Sequence, residues 1–368
     1  MGEHSIPKTM KAIQVVEYDK PYSINQVPVP TDLAPLDILV KIGVASNCHT
    51  DSMVSVGVFK TKLPCTASHE GAGTVVAVGS DVQPPFGIGT RVMCGLPYHP
   101  CGKCDDCTGP EKFRQYCTHI EGHSGVHRDG FFAEYALVDS RTTAILPDQV
   151  TLESAAPLAC AGRTIWAGVL MPELQEGQWL ALVGSGGGLG HLGIQFAKAL
   201  GLKVIGVDAR DQGLALSREA GADIVLDARK GQEAVVEEIH KVTHGRGADS
   251  TIVLSDAEDA AGLACAITAM HRTVVQIAQP DKVVIPFAEL IFRDVKIKGS
   301  LLCSPAQDKS MLECVAEHGI KVTTNPFHGL DQIGKLTELV HSGKIKGKAI
   351  IIVDEEQIKN EKELGAKY

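Results

Sequence analysis

Apolar positions change their rhythm near the middle of this chain. Up to about Leu158 they come in short runs broken by glycine and proline: Ile38-Leu-Val-Lys-Ile-Gly-Val, Gly73-Thr-Val-Val-Ala-Val, Thr90-Arg-Val-Met and Ala133-Glu-Tyr-Ala-Leu-Val. Runs of that length bounded by turn formers predict strands, so this part reads as a compact β-rich domain with long loops. From about Gln178 the runs alternate with helical patterns. Trp179 to Val183, Lys203 to Asp208, Ile224 to Asp227, Thr251 to Leu254, Thr273 to Ile277 and Val295 to Ile297 predict six strands. Strands separated by helices predict a doubly wound parallel sheet, hence an α/β fold. Between the first two, Leu189, Leu192, Phe196 and Leu200 recur at near-helical spacing, and Gly201 is placed to end that helix. From about Cys303 the chain mixes one or two helices with a strand at Ala349 to Val353, and this stretch is expected to pack back on the first domain.

Composition narrows the class. A chain of 368 residues exceeds one ordinary core, and two domains is the working number. The apolar fraction of 44% is that of a globular protein, and no apolar run is long enough to span a bilayer, so no membrane partner is expected. A formal charge of -9, without a dense basic run, argues against nucleic acid. The opening Met1-Gly-Glu-His-Ser has no apolar core, and the closing Ala366-Lys367-Tyr368 is only a faint peroxisomal signal, so a reducing cytoplasm is expected.

Chemistry enters at a glycine-rich turn and in the cysteine-bearing segments. Directly after the first strand of the second half comes Gly184-Ser-Gly186-Gly187-Gly188-Leu189-Gly190, opening the helix described above. Glycines there let a turn tighten and let backbone approach a pyrophosphate, whose charge meets the N–H groups and dipole of the helix. Asp208 ends the second strand, where a carboxylate accepts ribose hydroxyls and repels a 2′-phosphate, favouring NAD. Arg210, two residues on, keeps NADP in play. A purely structural glycine turn, with Asp208 as a solvated strand end, is the simpler alternative.

The other place is cysteine-rich. Cys101, Cys104, Cys107 and Cys117 follow C-x2-C-x2-C-x9-C, a spacing that suits a closed tetrahedral structural zinc site better than a disulfide framework. Elsewhere Cys48-His49-Thr50-Asp51, Ser68-His69-Glu70-Gly71 and Ala159-Cys160-Ala161 supply two thiols and an imidazole. Such a set leaves one tetrahedral position open, as catalytic zinc requires, but residue types alone also fit a satisfied core histidine and buried thiols.

These motifs, in this order and together with Gly187-Gly-Leu-Gly190, resemble the medium-chain zinc-dependent alcohol dehydrogenases, above all their yeast and bacterial tetrameric branch, from about Lys11 to Asp354. The resemblance implies a GroES-like zinc-binding catalytic domain over 1–160, a Rossmann NAD-binding domain over 161–302 and a C-terminal return over 303–368. It implies Cys48, His69 and Cys160 as ligands of a catalytic Zn2+, with Glu70 as a transient ligand and a second, structural Zn2+ on the four-cysteine loop. It further implies that Asp51 orients His69, Thr50 bonds the substrate oxygen, and His49 lies against the pyrophosphate. The reaction it implies is interconversion of primary alcohols and aldehydes with NAD(H), by a homotetramer or homodimer.

Four departures from that family colour the expectation. Met53 stands where many relatives carry a proton-relay histidine, which weakens the general-base step and tilts use toward aldehyde reduction. The segment carrying Val54, Val56, Val58 and Phe59 is short and has no tryptophan, so substrates bulkier than ethanol are expected. Lys348 replaces an arginine expected on the cofactor phosphates. The loop from Cys107 to Cys117 is two residues longer than usual, yet should still reach the metal. Alternatives are a dedicated biosynthetic aldehyde reductase using NADPH and, from another class, a non-catalytic cofactor-binding structural or sensor protein.

Overall fold

The computed structural model describes residues 6–368; Met1-Gly-Glu-His-Ser lies outside the described residues. The chain forms two compact units, one of Met1–Ala161 with Ser304–Tyr368 and one of Gly162–Cys303.

The first unit is built on a seven-stranded sheet. Its central strand, Asp37–Asn47, is almost wholly buried, as expected for a strand covered on both faces. Glu70–Val78 runs antiparallel along one side of it and Lys348–Ile352 along the other. Arg91–Met93 and Ala144–Ile145 extend the first side, Thr324–His328 extends the second, and Tyr135–Asp139 also pairs with the central strand. The last strand to be made therefore lies deep in the sheet. Gly73 allows the central pair to close, since a Cβ there would lie 2.1 Å from the Lys41 carbonyl oxygen. Buried Ile13, Ile38, Ile42, Val75, Phe131 and Ile351 belong to the core against this sheet.

The register is what matters for function. Ser46 faces Glu70, and Asn47 faces Ala349. The residues flanking these positions, Cys48, His69 and Lys348, are thus carried to one end of the sheet. Two smaller sheets complete the unit: Ser23–Pro28 with Thr9–Val15 and Cys65–Thr66, and Pro97–Tyr98 with Gly122–His123. The return contains three helices, Pro305–His318, Ile333–His341 and Glu355–Glu363, where one or two were expected. The third, Glu-Glu-Gln-Ile-Lys-Asn-Glu-Lys-Glu, has too few apolar residues for its period to show.

The second unit is a six-stranded parallel sheet. Across it the strands lie in the order Ile224–Asp227, Lys203–Asp208, Trp179–Val183, Ala248–Val253, Thr268–Gln276 and Lys296–Gly299. All six predicted strands are present. The fifth begins at Thr268 rather than Thr273, because Thr268 pairs with Ala248 across a bulge and polar His271 and Arg272 interrupt its apolar pattern. The order reverses between Trp179–Val183 and Ala248–Val253, and the crevice outside strand carboxyl ends at such a point is where this architecture binds ligands. The predicted helix runs Gly190–Ala199, and Gly201, at φ 73°, turns the chain out of it.

Candidate metal centre and nucleotide turn

Cys48, His69, Glu70 and Cys160 come together in the first unit, their ligand atoms within 4.8 Å of one another. They arrive on three pieces of backbone, His69 and Glu70 side by side on one of them. Cys48 precedes the helix His49–Ser55, and its N–H donates to Asp51 Oδ2 at 2.8 Å. Asp51 Oδ1 lies 3.0 Å from His69 Nδ1, both residues only 1% exposed. Asp51 thus caps the helix start and orients the imidazole at once. With Nδ1 held by the carboxylate, His69 turns Nε2 to the cluster, and that atom is buried without a hydrogen-bond partner. Cys160 sits in a π-helical turn, Leu158–Gly162, an irregularity often found at functional sites.

Electrostatics show what the cluster lacks. The Cys48 thiol is held well below its ordinary value, first by a hydrogen bond from Cys160 and also by the Lys348 charge. Cys160 is pushed well above its own by the same hydrogen bond and by burial. One thiol ionises at the other's expense, and a divalent cation would remove that conflict. Two thiols, an orphaned imidazole nitrogen and a carboxylate at this spacing fit zinc.

Lys348 joins this cluster. Its side chain is 4% exposed and its Nζ lies 2.9 Å from Glu70 Oε1 and 2.7 Å from Oε2, so the ammonium sits against the Glu70 carboxylate. Burial alone would lower the ammonium's pKa; the Cys48 thiolate and Glu70 carboxylate outweigh it and hold the charge. Glu70 itself is pushed up to about 7 by burial, with Lys348 opposing, and Oε1 also accepts the Ala161 N–H at 3.2 Å. No local signal marks this contact, because Lys348 reads as the polar start of an apolar strand.

The second cluster is local. Cys101, Cys104, Cys107 and Cys117 bring their thiols within 4.8 Å of one another. Sulfur separations of 3.9 Å for Cys101 to Cys107, 3.7 Å for Cys104 to Cys117 and 3.7 Å for Cys117 to Cys101 match the edge of a tetrahedron. Zn–S bonds of about 2.3 Å imply an edge of about 3.8 Å. The Cys101 thiol is drawn down to about 6, chiefly by the Lys103 N–H. All the cysteines are free thiols, so no disulfide framework exists. Between Cys107 and Cys117 lies the turn Glu111–Tyr116, from which Glu111 reaches the start of helix Pro305–His318. There its Oε1 accepts the Ala306 N–H at 2.8 Å and its Oε2 accepts the Ser304 hydroxyl.

Two further predicted residues ride on the helix after Cys48: His49 is exposed and Thr50 half-buried. Met53 is half-buried on the same helix, whereas Val54 turns into the core and Val56 and Val58 are exposed.

In the second unit, Gly184 takes φ 89° and the turn folds onto the neighbouring strand through Gly184 and Ser185 N–H groups on Val207 O. A Cβ at Gly186 would lie 2.0 Å from Gly213 O, and one at Gly190 would lie 2.4 Å from Ser185 O, so neither position admits a side chain. Gly187 and Gly188 complete the turn, and Leu189 precedes the first helical residue, Gly190. Asp208 is buried; its Oδ2 accepts Gly186 N–H and its Oδ1 Arg210 N–H, both at 2.9 Å. That geometry is a built turn rather than a solvated strand end.

Comparison with known proteins fits this arrangement. The alcohol dehydrogenase GroES-like domain family matches residues 34–148, and the zinc-binding dehydrogenase family matches 188–317. Alcohol dehydrogenase 1 of Emericella nidulans is 33% identical over 358 residues, covering 95% of this chain and 100% of its own. The crystal structure of the alcohol dehydrogenase from Aeropyrum pernix superposes with a TM-score of 0.84 at 27% identity, covering 93% of this chain and 99% of its own. A chain from Sinorhizobium meliloti 1021, solved bound to NADP, gives 0.82 at 26% identity, with 94% and 100% covered. Fold and donor set together define a zinc-binding dehydrogenase with a GroES-like and a Rossmann-type domain. The chain belongs to the medium-chain zinc-dependent alcohol dehydrogenase family and is an oxidoreductase. Among the described residues no helix is long and apolar enough to cross a membrane.

Proposed function

We propose that this chain interconverts primary alcohols and aldehydes by hydride transfer to or from NAD(H), with two Zn2+ ions per chain. The observation that carries the reading is the mixed donor set of Cys48, His69 and Cys160, with the ligand atoms within 4.8 Å of one another and Nε2 of His69 buried and partnerless. These residues would hold the catalytic zinc, Glu70 would serve as its transient ligand, and the four cysteines from Cys101 to Cys117 would hold the structural one. A bound zinc supplies Lewis acidity toward a substrate oxygen. The chain's own groups do the rest. Asp51 fixes the tautomer of His69. Thr50 accepts the proton of the substrate hydroxyl in a hydrogen bond or donates to the carbonyl, while His49 lies exposed for the cofactor pyrophosphate. Gly184, Gly186, Gly187, Gly188, Leu189 and Gly190 admit the phosphates to the helix start.

Cofactor choice rests on Asp208. A carboxylate offers about four acceptor positions, and the backbone occupies two here, leaving room for both ribose hydroxyls and favouring NAD. The second reading, an NADPH-linked aldehyde reductase, is favoured by Arg210, whose Nε lies 3.4 Å from Asp208 Oδ1 with the side chain 42% exposed. Met53 supports a bias toward aldehyde reduction, and the absence of tryptophan between Asp51 and His69 supports substrates bulkier than ethanol. A reducing cytoplasm keeps both thiol clusters competent for zinc. Exposed Met270, Phe287, Leu290, Ile291 and Phe292 on the second unit support self-association, as a homotetramer or homodimer.

The test is metal content with a matrix of linear, branched and aromatic alcohols and aldehydes against both cofactors. Two zinc ions per chain and NAD-linked turnover are expected; zinc with no turnover on any pair would point to a non-catalytic protein. Introducing the relay group by Met53→His should raise alcohol oxidation near neutral pH and leave reduction less affected. An unchanged pH profile would remove Met53 from the argument.

A further inference from the structure

The loop joining Gly122 to Gly130 lies directly on the backbone that carries His69. Gly130 N–H donates to Thr66 O, Phe131 N–H to Ser68 O and Phe132 N–H to Ala67 O, each at 2.9 Å. A Cβ at Gly125 would lie 2.2 Å from Ser68 O and 2.8 Å from His69 N, and one at Gly130 would lie 1.9 Å from Ser68 O. The approach is possible only with glycine at both places. The segment leaving the helix His49–Ser55 is fastened to the same loop: buried Thr61 Oγ1 donates to Val126 O at 2.6 Å, and Phe59 meets His127 edge to face at 6.5 Å. The ligand-bearing backbone, the exit of the Thr50 helix and this loop form one wall of the first unit.

Two histidines stand in that wall, unused by the metal cluster. The rings of His123 and His127 lie 5.6 Å apart, and His127 Nδ1 accepts the His123 backbone N–H at 3.3 Å. His123 Nε2 is buried and has no hydrogen-bond partner in the folded chain. A buried ring nitrogen of this kind is costly unless something supplies the missing bond, and the position is open to a bound ligand. Burial, followed by the neighbouring His127 and His69, pushes the His123 pKa down to about 4, so at neutral pH the ring is uncharged. An uncharged imidazole both donates and accepts, which suits a hydroxyl or carbonyl oxygen.

We propose that His123 is a specificity-determining residue, which hydrogen-bonds an uncharged oxygen carried by the alcohol or aldehyde substrate away from its reacting carbon. The proposal rests on the alcohol dehydrogenase reading above and sharpens its substrate class, from bulkier alcohols to those bearing a second hydroxyl or carbonyl group.

The experiment uses the zinc-loaded enzyme and a matched set: 1-butanol against butane-1,2-, 1,3- and 1,4-diol. Wild type should favour at least one diol over 1-butanol in kcat/KM. His123→Leu should lower that ratio about tenfold or more, the size of one lost hydrogen bond, with kcat/KM for 1-butanol unchanged and zinc content intact. His123→Gln, which keeps a polar atom at similar reach, should restore part of the preference. Independently of turnover, the favoured diol should shift the His123 ring C–H resonance while 1-butanol at equal saturation does not. An active wild type indifferent to the second hydroxyl, or a leucine variant that loses all substrates equally, would overturn the assignment. A wild type inert toward every alcohol and aldehyde would instead sink the dehydrogenase reading beneath it.

Discussion

The four-cysteine lobe and the mixed cluster around His69 gather metal donors by opposite routes. In the lobe all four donors are thiols from one short stretch, Cys101 to Cys117, and most of them stay partly exposed. The mixed cluster draws on Cys48, His69, Glu70 and Cys160, its His69 and Glu70 are buried, and Lys348 comes from the far end of the chain to balance the charge. A local cluster closes on a cation with little help from the fold, and so it suits bracing. A dispersed one needs the whole sheet in register, but it can mix donor types and leave a position for substrate. On the proposed function, chemistry belongs to the cluster that the fold has to build.

The sharpest way to break that contrast is to remove one donor from each side. Cys160→Ala should cut kcat/KM by about 10³-fold or more and lower zinc from two to one per chain, with a modest change in melting temperature. Retained turnover would reverse the assignment. Cys104→Ala should do the converse: loss of the other zinc, a melting temperature lower by several degrees and faster proteolysis between 101 and 117, with kcat per folded molecule within about twofold of wild type. A large fall in kcat at unchanged stability would show that the lobe takes part in the reaction.

Smaller changes probe how each cluster is supported. Asp51→Asn keeps the shape beside His69 Nδ1 but weakens the acceptor, so a competition titration with a chelator should show about 10- to 100-fold weaker binding of one zinc only. Equal weakening of both would contradict it. Glu111→Gln should have the least effect, about 1 kcal/mol in denaturant unfolding with kcat unaltered, because Glu111 only satisfies the start of helix Pro305–His318.

The same contrast decides what could be read from the sequence. The four-cysteine spacing, the glycine turn and the strand pattern of the second unit are all local, and each stands close to where its residues predict. Asp51 against His69 was legible because the family resemblance supplied the pairing. Lys348 was not, since its partner Glu70 lies across a sheet whose register depends on every strand between them. His123 left even less trace: its interest comes from an empty hydrogen-bond position, which only packing reveals. The third helix of the return was missed for a related reason, as charged residues conceal a period that tertiary contact supports.

The position of Lys348–Ile352 also sets a timetable. The second unit is one continuous stretch, so it can finish folding while the chain is still being made. The first cannot. Until residues 348–352 emerge, the Val44–Asn47 end of the central strand presents a bare hydrogen-bonding edge and Glu70 lacks the Lys348 ammonium, although every proposed zinc ligand has already been synthesised. The return strand therefore closes that edge and completes the charge around Glu70 in a single event, so that a chain interrupted before it would have both an open edge and an unfinished cluster.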